Sequence, residues 1–370
     1  MYVLFACGGT AGHIYPALSM ARLLREFDKN TRIEFVGTPG GMENRLVPQE
    51  GYPIYPLHVS GIARKLSFSN LKAVWQSVVA YMKCRNRMKA DRPDLVIGTG
   101  GYVCFPVLRA AASLGIPNAV HESNAIPGLA VKAVASKTDR IWLGQKEAVS
   151  CFTCKDKCLY TGTPLRNGFL LENKYDIRRK MGLPHNAFFV LSFGGSLGAE
   201  KLTEAVYDLW KETSDPRLHF LHIRGRSPQN LPAEDERHRT LAYADQMPSL
   251  MQAADLVICR AGAMTLTELA ACGKASILIP SPNVTDNHQY RNARALSDCG
   301  AAAMICEDEL SGKRLAEYVS GFLASPDRRR RMEEISRSRC KKDTDALLLR
   351  EMLRLSGVRQ PPADMNTALK

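Results

Sequence analysis

The chain has 370 residues, 45% hydrophobic and 24% charged, with a net charge of +13 from 50 Lys and Arg against 37 Asp and Glu. That length exceeds one ordinary core and implies two domains of globular composition, and no stretch reaches the run of about 18 apolar residues that a membrane-spanning helix needs. The basic excess favours anionic partners, whether phosphorylated ligands, acidic membrane surfaces or nucleic acid, without choosing among them.

In chain order, MYVLFACGGT has no basic leader and its apolar run stops at glycines, so no secretion signal is expected. The 11 scattered cysteines then read as reduced cytoplasmic thiols. Tyr2–Ala6 is expected as a strand, followed by a glycine turn and a helix over Ala17–Phe27. Ile33–Val36 is a second strand, and an amphipathic basic stretch from Leu71 to Lys89 leads to a third at Asp94–Ile97. Asn118–His121 and Arg140–Leu143 continue the set. Cys151, Cys154 and Cys158 lack a fourth ligand at zinc-finger spacing and read as a thiol-rich surface loop.

The theme restarts after residue 165 with strands at Phe188–Phe193, Leu218–Ile223, Leu256–Ile258 and Ala275–Ile279. Strands alternating with helical patterns imply βαβ units, so the expectation is α/β: two doubly wound parallel-sheet domains joined near Gly162–Asn167. The expected division is residues 1–163, residues 164–345, and a helix end with a frayed tail over 346–370.

Two strand-to-helix turns resemble one another: Gly8-Gly9-Thr10-Ala11-Gly12-His13 and Gly194-Gly195-Ser196-Leu197-Gly198-Ala199. Glycines let the backbone approach a ligand, and the following helix aims free N–H groups at an anion. The G-G-x-x-G spacing, with no carboxylate after Phe35-Val36-Gly37-Thr38, fits a dinucleotide fingerprint poorly, and a P-loop is absent. Further polar clusters follow other strands: Gly98-Thr99-Gly100-Gly101-Tyr102, His121-Glu122-Ser123-Asn124, Thr161 to Arg166, Arg260 to Thr265 ahead of Glu268, and Asp286-Asn287-His288-Gln289. Singly, Thr265 and Ser196 suit helix caps and Glu268 a first helical turn. Together they lie where ligands bind in open α/β sheets, beyond the strand carboxyl ends.

These residues resemble the MurG family of UDP-N-acetylglucosamine:N-acetylmuramyl-(pentapeptide) pyrophosphoryl-undecaprenol N-acetylglucosamine transferases. The resemblance spans roughly residues 3 to 350 and rests on GGTAGHIYPA, GTGGYVCFP, HESNAIPG, TGTPLR, FGGSLGA, RAGAMTLTEL and DNHQYRNA. It implies the GT-B fold, two doubly wound domains facing a cleft, with no cofactor and no tightly held metal. It implies donor contacts at Thr10, Ala11, Gly12, Asn124, Arg166, Ser196, Ala244, Ala263, Met264, Thr265, Leu266, Thr267, Glu268 and Gln289. Glu268 would hold the ribose hydroxyls, and the amides around Met264 to Leu266 the diphosphate. Acceptor pyrophosphate would fall to Gly9, Gly100, Gly101 and Tyr102. The chain departs from the family pattern at Ala11, where many members have glycine, at Leu197, where many have glutamine, and at His288, where some have a second glutamine.

The family's reaction inverts the anomeric centre, which calls for a general base and charge stabilisation of the leaving diphosphate. His13 is the expected base, with Glu122 as rival. The expected partners are UDP-N-acetylglucosamine, an undecaprenyl-linked muramyl pentapeptide and an anionic membrane at its cytoplasmic face. Residues 62–89, where Ile62, Leu66, Phe68, Leu71, Val74, Trp75, Val78 and Met82 mingle with basic residues, suit a peripheral contact with that membrane. The alternatives are a related transferase using another lipid acceptor such as diacylglycerol, a UDP-sugar epimerase, for which catalytic carboxylates are not evident, and a non-catalytic nucleotide or nucleic-acid binder. No nucleic-acid motif supports the last, and nucleic acid is not an expected partner.

Overall fold

The computed structural model describes residues 1–61, 68–166, 169, 172–195, 198–226, 234–244, 246–284 and 287–358. The chain forms two compact units, Met1–Asn167 with Lys341–Lys370, and Gly168–Cys340.

The first unit runs β1 (Tyr2–Cys7), α1 (Ala11–Phe27), β2 (Arg32–Gly37), α2 (Glu43–Gln49), β3 (Ile54–Pro56), α3 (Phe68–Ala90), β4 (Leu95–Gly100), α4 (Cys104–Ser113), β5 (Asn118–Glu122), α5 (Leu129–Ala135), β6 (Arg140–Leu143) and β7 (Cys158–Tyr160). Its seven strands lie in the order β3-β2-β1-β4-β5-β6-β7, every pair parallel. Strands covered on both faces read as near-continuous apolar runs, and YVLFAC of β1 is buried at every position. One face packs Leu4, Val96 and Val120 against Val107 and Met88. The other packs Val3, Phe5 and Ile97 against Leu18 and Leu24.

The second unit runs α6 (Lys174–Lys180), β8 (Phe188–Phe193), α7 (Glu200–Glu212), β9 (Leu218–Ile223), β10 (His238–Leu241), α8 (Met247–Ala253), β11 (Leu256–Cys259), α9 (Ala263–Cys272), β12 (Ser276–Leu278), α10 (His288–Ser297), β13 (Ala303–Met304), α11 (Gly312–Ala324) and α12 (Pro326–Ser338). Its parallel order is β10-β9-β8-β11-β12-β13, the same plan without the seventh strand. Both sheets thus reverse direction of growth once, between β1 and β4 and between β8 and β11, and ligand crevices open at such switch points.

Three differences from the sequence reading have physical causes. β3, β7, β10 and β13 were not marked by hydropathy, and they are the four sheet edges. β3, β7 and β10 are short and half-solvated, as His238–Leu241 shows, and β13 is only two residues long within the largely buried stretch Ala301–Ile305. Helix α1 begins at Ala11, not Ala17, because Pro16 sits one turn inside, where its missing N–H removes a single helical bond. The last helix, α13 (Thr344–Leu355), straddles residue 345, after which a helix end and a tail were expected. Leu348 and Met352 are instead buried among Val3, Phe5 and Ile14 of the first unit. Residues 359–370 lie outside the described residues.

Candidate active site

The site is built from the carboxyl end of the first sheet. Between β1 and β4 the register shifts: Ala6 pairs with Gly98, but Cys7 pairs with Gly100. The slip leaves Thr99 unpaired, and its hydroxyl donates to the His13 carbonyl at 2.7 Å, tying β4 to the first turn of α1. Cys104, at the start of α4, closes the same seam. Its Sγ lies 3.0 Å from the Ala6 carbonyl and from the Gly100 N–H and carbonyl. Burial pushes its pKa up to about 12, so it stays a thiol.

The two glycine turns of this unit pack against each other. Gly100 (φ +115°) and Gly101 (φ +84°) adopt backbone that L side chains rarely reach. A β-carbon on Gly100 would run into the His13 ring, and one on Gly101 into the Gly8 carbonyl. The His13 Nδ1 lies 3.0 Å from the Gly8 carbonyl oxygen and 3.3 Å from Thr10 Oγ1. A carbonyl only accepts, so the neutral ring carries its proton on Nδ1 and presents Nε2 as a proton acceptor. Burial lowers the ring's pKa from 6.5, opposed by the Gly8 carbonyl and the charge of Glu43.

The other expected residues of this unit are placed as follows. Thr10 is exposed at the N-cap of α1 with extended backbone, and Ala11 and Gly12 are half-buried in the first turn. Gly9 is exposed, but its N–H donates to Glu43 Oε2 at 3.2 Å, so that amide is directed at a side chain beneath the turn. Tyr102 is exposed and stacks over Gly61, where a β-carbon would meet its ring. Glu122 is buried, and its carboxylate accepts from Asn124 N and Nδ2, both at 2.9 Å, and from Gly128 N at 3.0 Å. Those contacts make it a brace for the Asn124 loop. Arg166 is half-buried, its guanidinium 5.6 Å from the Tyr15 ring centroid.

In the second unit, Gly194-Gly195 and Gly198-Ala199 join β8 to α7, with Gly198 N donating to the Gly195 carbonyl at 2.9 Å. Ser196 and Leu197 lie outside the described residues. Beside that turn, β11 leads into α9 through Gly262, an extended N-cap with no side-chain cap bond. Leu266 N takes up the Gly262 carbonyl at 3.0 Å, so the amides of Ala263, Met264 and Thr265 have no acceptor within the helix. Thr267 Oγ1 donates back to the Ala263 carbonyl at 3.0 Å. Glu268 is 1% exposed on the same helix. Ala244 is half-buried, and Gln289 Oε1 accepts from Ser281 N at 3.0 Å.

Arg260 and Asn292 lie within RAGAMTLTEL and DNHQYRNA, but the sequence did not mark them as the residues that hold these loops. Asn292, fully buried on α10, donates from Nδ2 to the Ala261 carbonyl at 3.2 Å. Arg260 pairs with Glu307 and donates to the Ile279 carbonyl at 3.2 Å, joining the ends of β11, β12 and β13. Glu43 is the third. Asn292 and Glu43 are buried and Arg260 is half-buried, and the partners that hold them come from other segments that no local pattern reveals. Cys154 and Cys158, expected in a surface loop, pack against the apolar layer of the first sheet, and Cys158 opens β7. Among the described residues no group of three or more His, Cys, Asp or Glu is placed to hold a metal ion.

The glycosyltransferase family 28 N-terminal domain matches residues 3–143, and the family's C-terminal domain matches residues 189–348. Two Rossmann-type sheets bearing these domains define a glycosyltransferase of the GT-B fold. The UDP-N-acetylglucosamine–N-acetylmuramyl-(pentapeptide) pyrophosphoryl-undecaprenol N-acetylglucosamine transferase of Thermoanaerobacter sp. (strain X514) is 40% identical over 335 residues, 88% of this chain and 92% of the relative. The transferase of that name from Acetivibrio thermocellus is 40% identical over 345 residues, 91% of this chain and 94% of the relative. The crystal structure of Acinetobacter baumannii MurG superposes with a TM-score of 0.76 at 27% identity, covering 95% of this chain and 99% of that one. The chain belongs to the MurG family.

Proposed function

We infer that the chain transfers N-acetylglucosamine from UDP-N-acetylglucosamine to undecaprenyl-pyrophosphoryl-N-acetylmuramyl pentapeptide, with inversion at the anomeric carbon. The observation that carries this is the 40% identity to transferases of that name over 91% of the chain.

His13 Nε2 takes the proton of the attacking sugar hydroxyl as that oxygen bonds to the anomeric carbon. The carbon–oxygen bond to UDP breaks, and UDP leaves with the electron pair. The amides at the start of α9, which have no acceptor within the helix, offset the charge that builds on the diphosphate. Glu268 receives the ribose hydroxyls as a buried carboxylate acceptor, with Gln289, Ala244 and Ser196 completing the donor contacts of the second unit. Thr10, Ala11, Gly12, Asn124 and Arg166 supply those of the first. Gly100, Gly101 and Tyr102 receive the acceptor pyrophosphate.

The acceptor is a lipid, and helix α3 supports a peripheral contact with an anionic membrane at its cytoplasmic face. Ala73, Ala80, Cys84 and Met88 face the core, while Leu71, Val74, Trp75, Val78 and Met82 form an exposed stripe, with Trp75 68% exposed. Lys72, Lys83, Arg85 and Lys89 flank it. Ile62 and Leu66 of the expected patch lie outside the described residues, and Phe68 contributes its backbone to α3. Among the described residues no helix is long and apolar enough to cross a membrane.

The test is transfer of labelled N-acetylglucosamine to the undecaprenyl-linked muramyl pentapeptide, with diacylglycerol as competing acceptor. Product on diacylglycerol alone would overturn the assignment. Sedimentation with anionic vesicles tests the contact: binding should weaken in high salt and in Trp75→Ala, and no binding at low salt would refute it.

A further inference from the structure

Glu43 opens α2, outside every motif at the strand ends, yet its side chain is fully buried at 0% exposure. Its Oε1 accepts from Thr38 N at 2.8 Å and Thr38 Oγ1 at 2.6 Å, and its Oε2 accepts from Gly9 N at 3.2 Å. The space it fills is made by glycines of three segments. A β-carbon on Gly8, Gly37 or Gly41 would run into this side chain. Burying a carboxyl is costly unless donors meet it, and here three donors converge from the ends of β1 and β2. One of them is an amide of the turn that carries Thr10 and His13.

We propose that Glu43 is a positioning residue for sugar transfer, fixing the first glycine turn through Gly9 and Thr38 and setting the imidazole of His13 for proton abstraction. This rests on His13 being the base. The groups around the ring are few. Its own turn supplies the Gly8 carbonyl and the Thr10 hydroxyl, and the Gly100 backbone presses on it from β4. The Cys7 and Cys104 thiols behind the turn are held protonated by burial. Among the described residues Glu43 is the charged group whose field reaches the ring, and it favours the protonated imidazole.

Glu43→Gln separates this role from simple support. Its carbonyl can keep the Thr38 contacts, but its NH2 group cannot accept from Gly9 N–H, and the charge facing His13 is gone. Two measurements on the full-length protein read the outcome: transfer kinetics, and the NMR titration of the His13 ring, which needs no substrate. The expected result is a kcat lower by about tenfold or more, a donor KM within about twofold of wild type, and His13 titrating at lower pH. Glu43→Asp, which keeps the charge on a shorter arm, should return the His13 titration towards wild type. A cooperatively folded Glu43→Gln with wild-type kcat and an unmoved titration overturns the proposal.

Should Glu43→Gln not fold, Gly41→Ala carries the test, because its β-carbon presses on the carboxyl without removing the charge. Reduced kcat supports the role, and wild-type kcat refutes it. Failure of the base assignment is distinct. It would appear as undiminished kcat in His13→Ala, while the substrate-free titration still decides whether Glu43 acts on the ring.

Discussion

Cys7 of β1 pairs with Gly100 of β4, one residue out of step with the register that pairs Ala6 with Gly98. The slip brings Gly100 under the His13 ring, at a φ of +115°. Gly100→Ala should therefore do two things. Backbone strain should cost about 1–3 kcal/mol of stability. The new methyl should also displace the imidazole and lower kcat by about a hundredfold. Thermal melts and transfer kinetics together check this, and a variant that loses stability but keeps kcat would show that the contact does not position the ring.

His13→Ala should lower kcat at saturating substrates by about 10²–10⁴-fold. A barely changed kcat would remove His13 from the role of base.

The pH dependence has a determined sign. A base acts when deprotonated, so kcat/KM should climb as pH rises through the pKa of His13 in the free enzyme. Burial lowers that pKa from 6.5, so the acid limb should lie below pH 6.5. A limb at higher pH would point to another group.

Two other histidines make the fold itself sensitive to acid. His121 Nε2 lies 3.0 Å from the Gly162 carbonyl, and His222 bridges Ser192 Oγ at 2.9 Å and Thr203 Oγ1 at 3.1 Å. Burial depresses the pKa of each from 6.5 to about 4. Between those values the unfolded chain binds the protons and the folded chain does not. Stability therefore falls as pH drops from 6.5 towards 4, by about 1.4 kcal/mol per pK unit for each ring. Urea unfolding at pH 7 and pH 5 measures the slope, which His222→Gln should flatten.

Leu348 of α13 is fully buried in the first unit's core. Leu348→Ala should cost about 2–5 kcal/mol. Truncation after Cys340 should remove the whole helix and unfold the first unit, measured by proteolysis and melting. A truncated chain that melts like wild type would mean that α13 adds nothing to that core.

Much of the architecture was legible in local pattern. The central strands, from Tyr2–Cys7 to Leu256–Cys259, are buried on both faces, so their apolar runs betray them without any alignment. The edge strands β3, β7 and β10 share that burden with solvent, and β13 is only two residues long, too short to stand out as a strand. The glycine turns were legible for the same local reason: a positive φ or a close backbone approach demands glycine, whatever the rest of the chain does. Motif order and spacing then carried the family, and with it the donor and acceptor.

Tertiary structure decided matters of distance between segments far apart in the chain. Gly9 looked like a ligand amide in sequence, and only folding brings Glu43 beneath it to accept that N–H. His13 was the expected base with Glu122 as its rival, and only the fold shows the Glu122 carboxylate accepting from Asn124 and Gly128 of its own loop. The helix Thr344–Leu355 follows the second unit in the chain but completes the core of the first. In each case local pattern reports what a segment needs, an apolar face or a glycine. Which distant partner meets that need is set by how the strands are ordered in each sheet and how the chain returns to it.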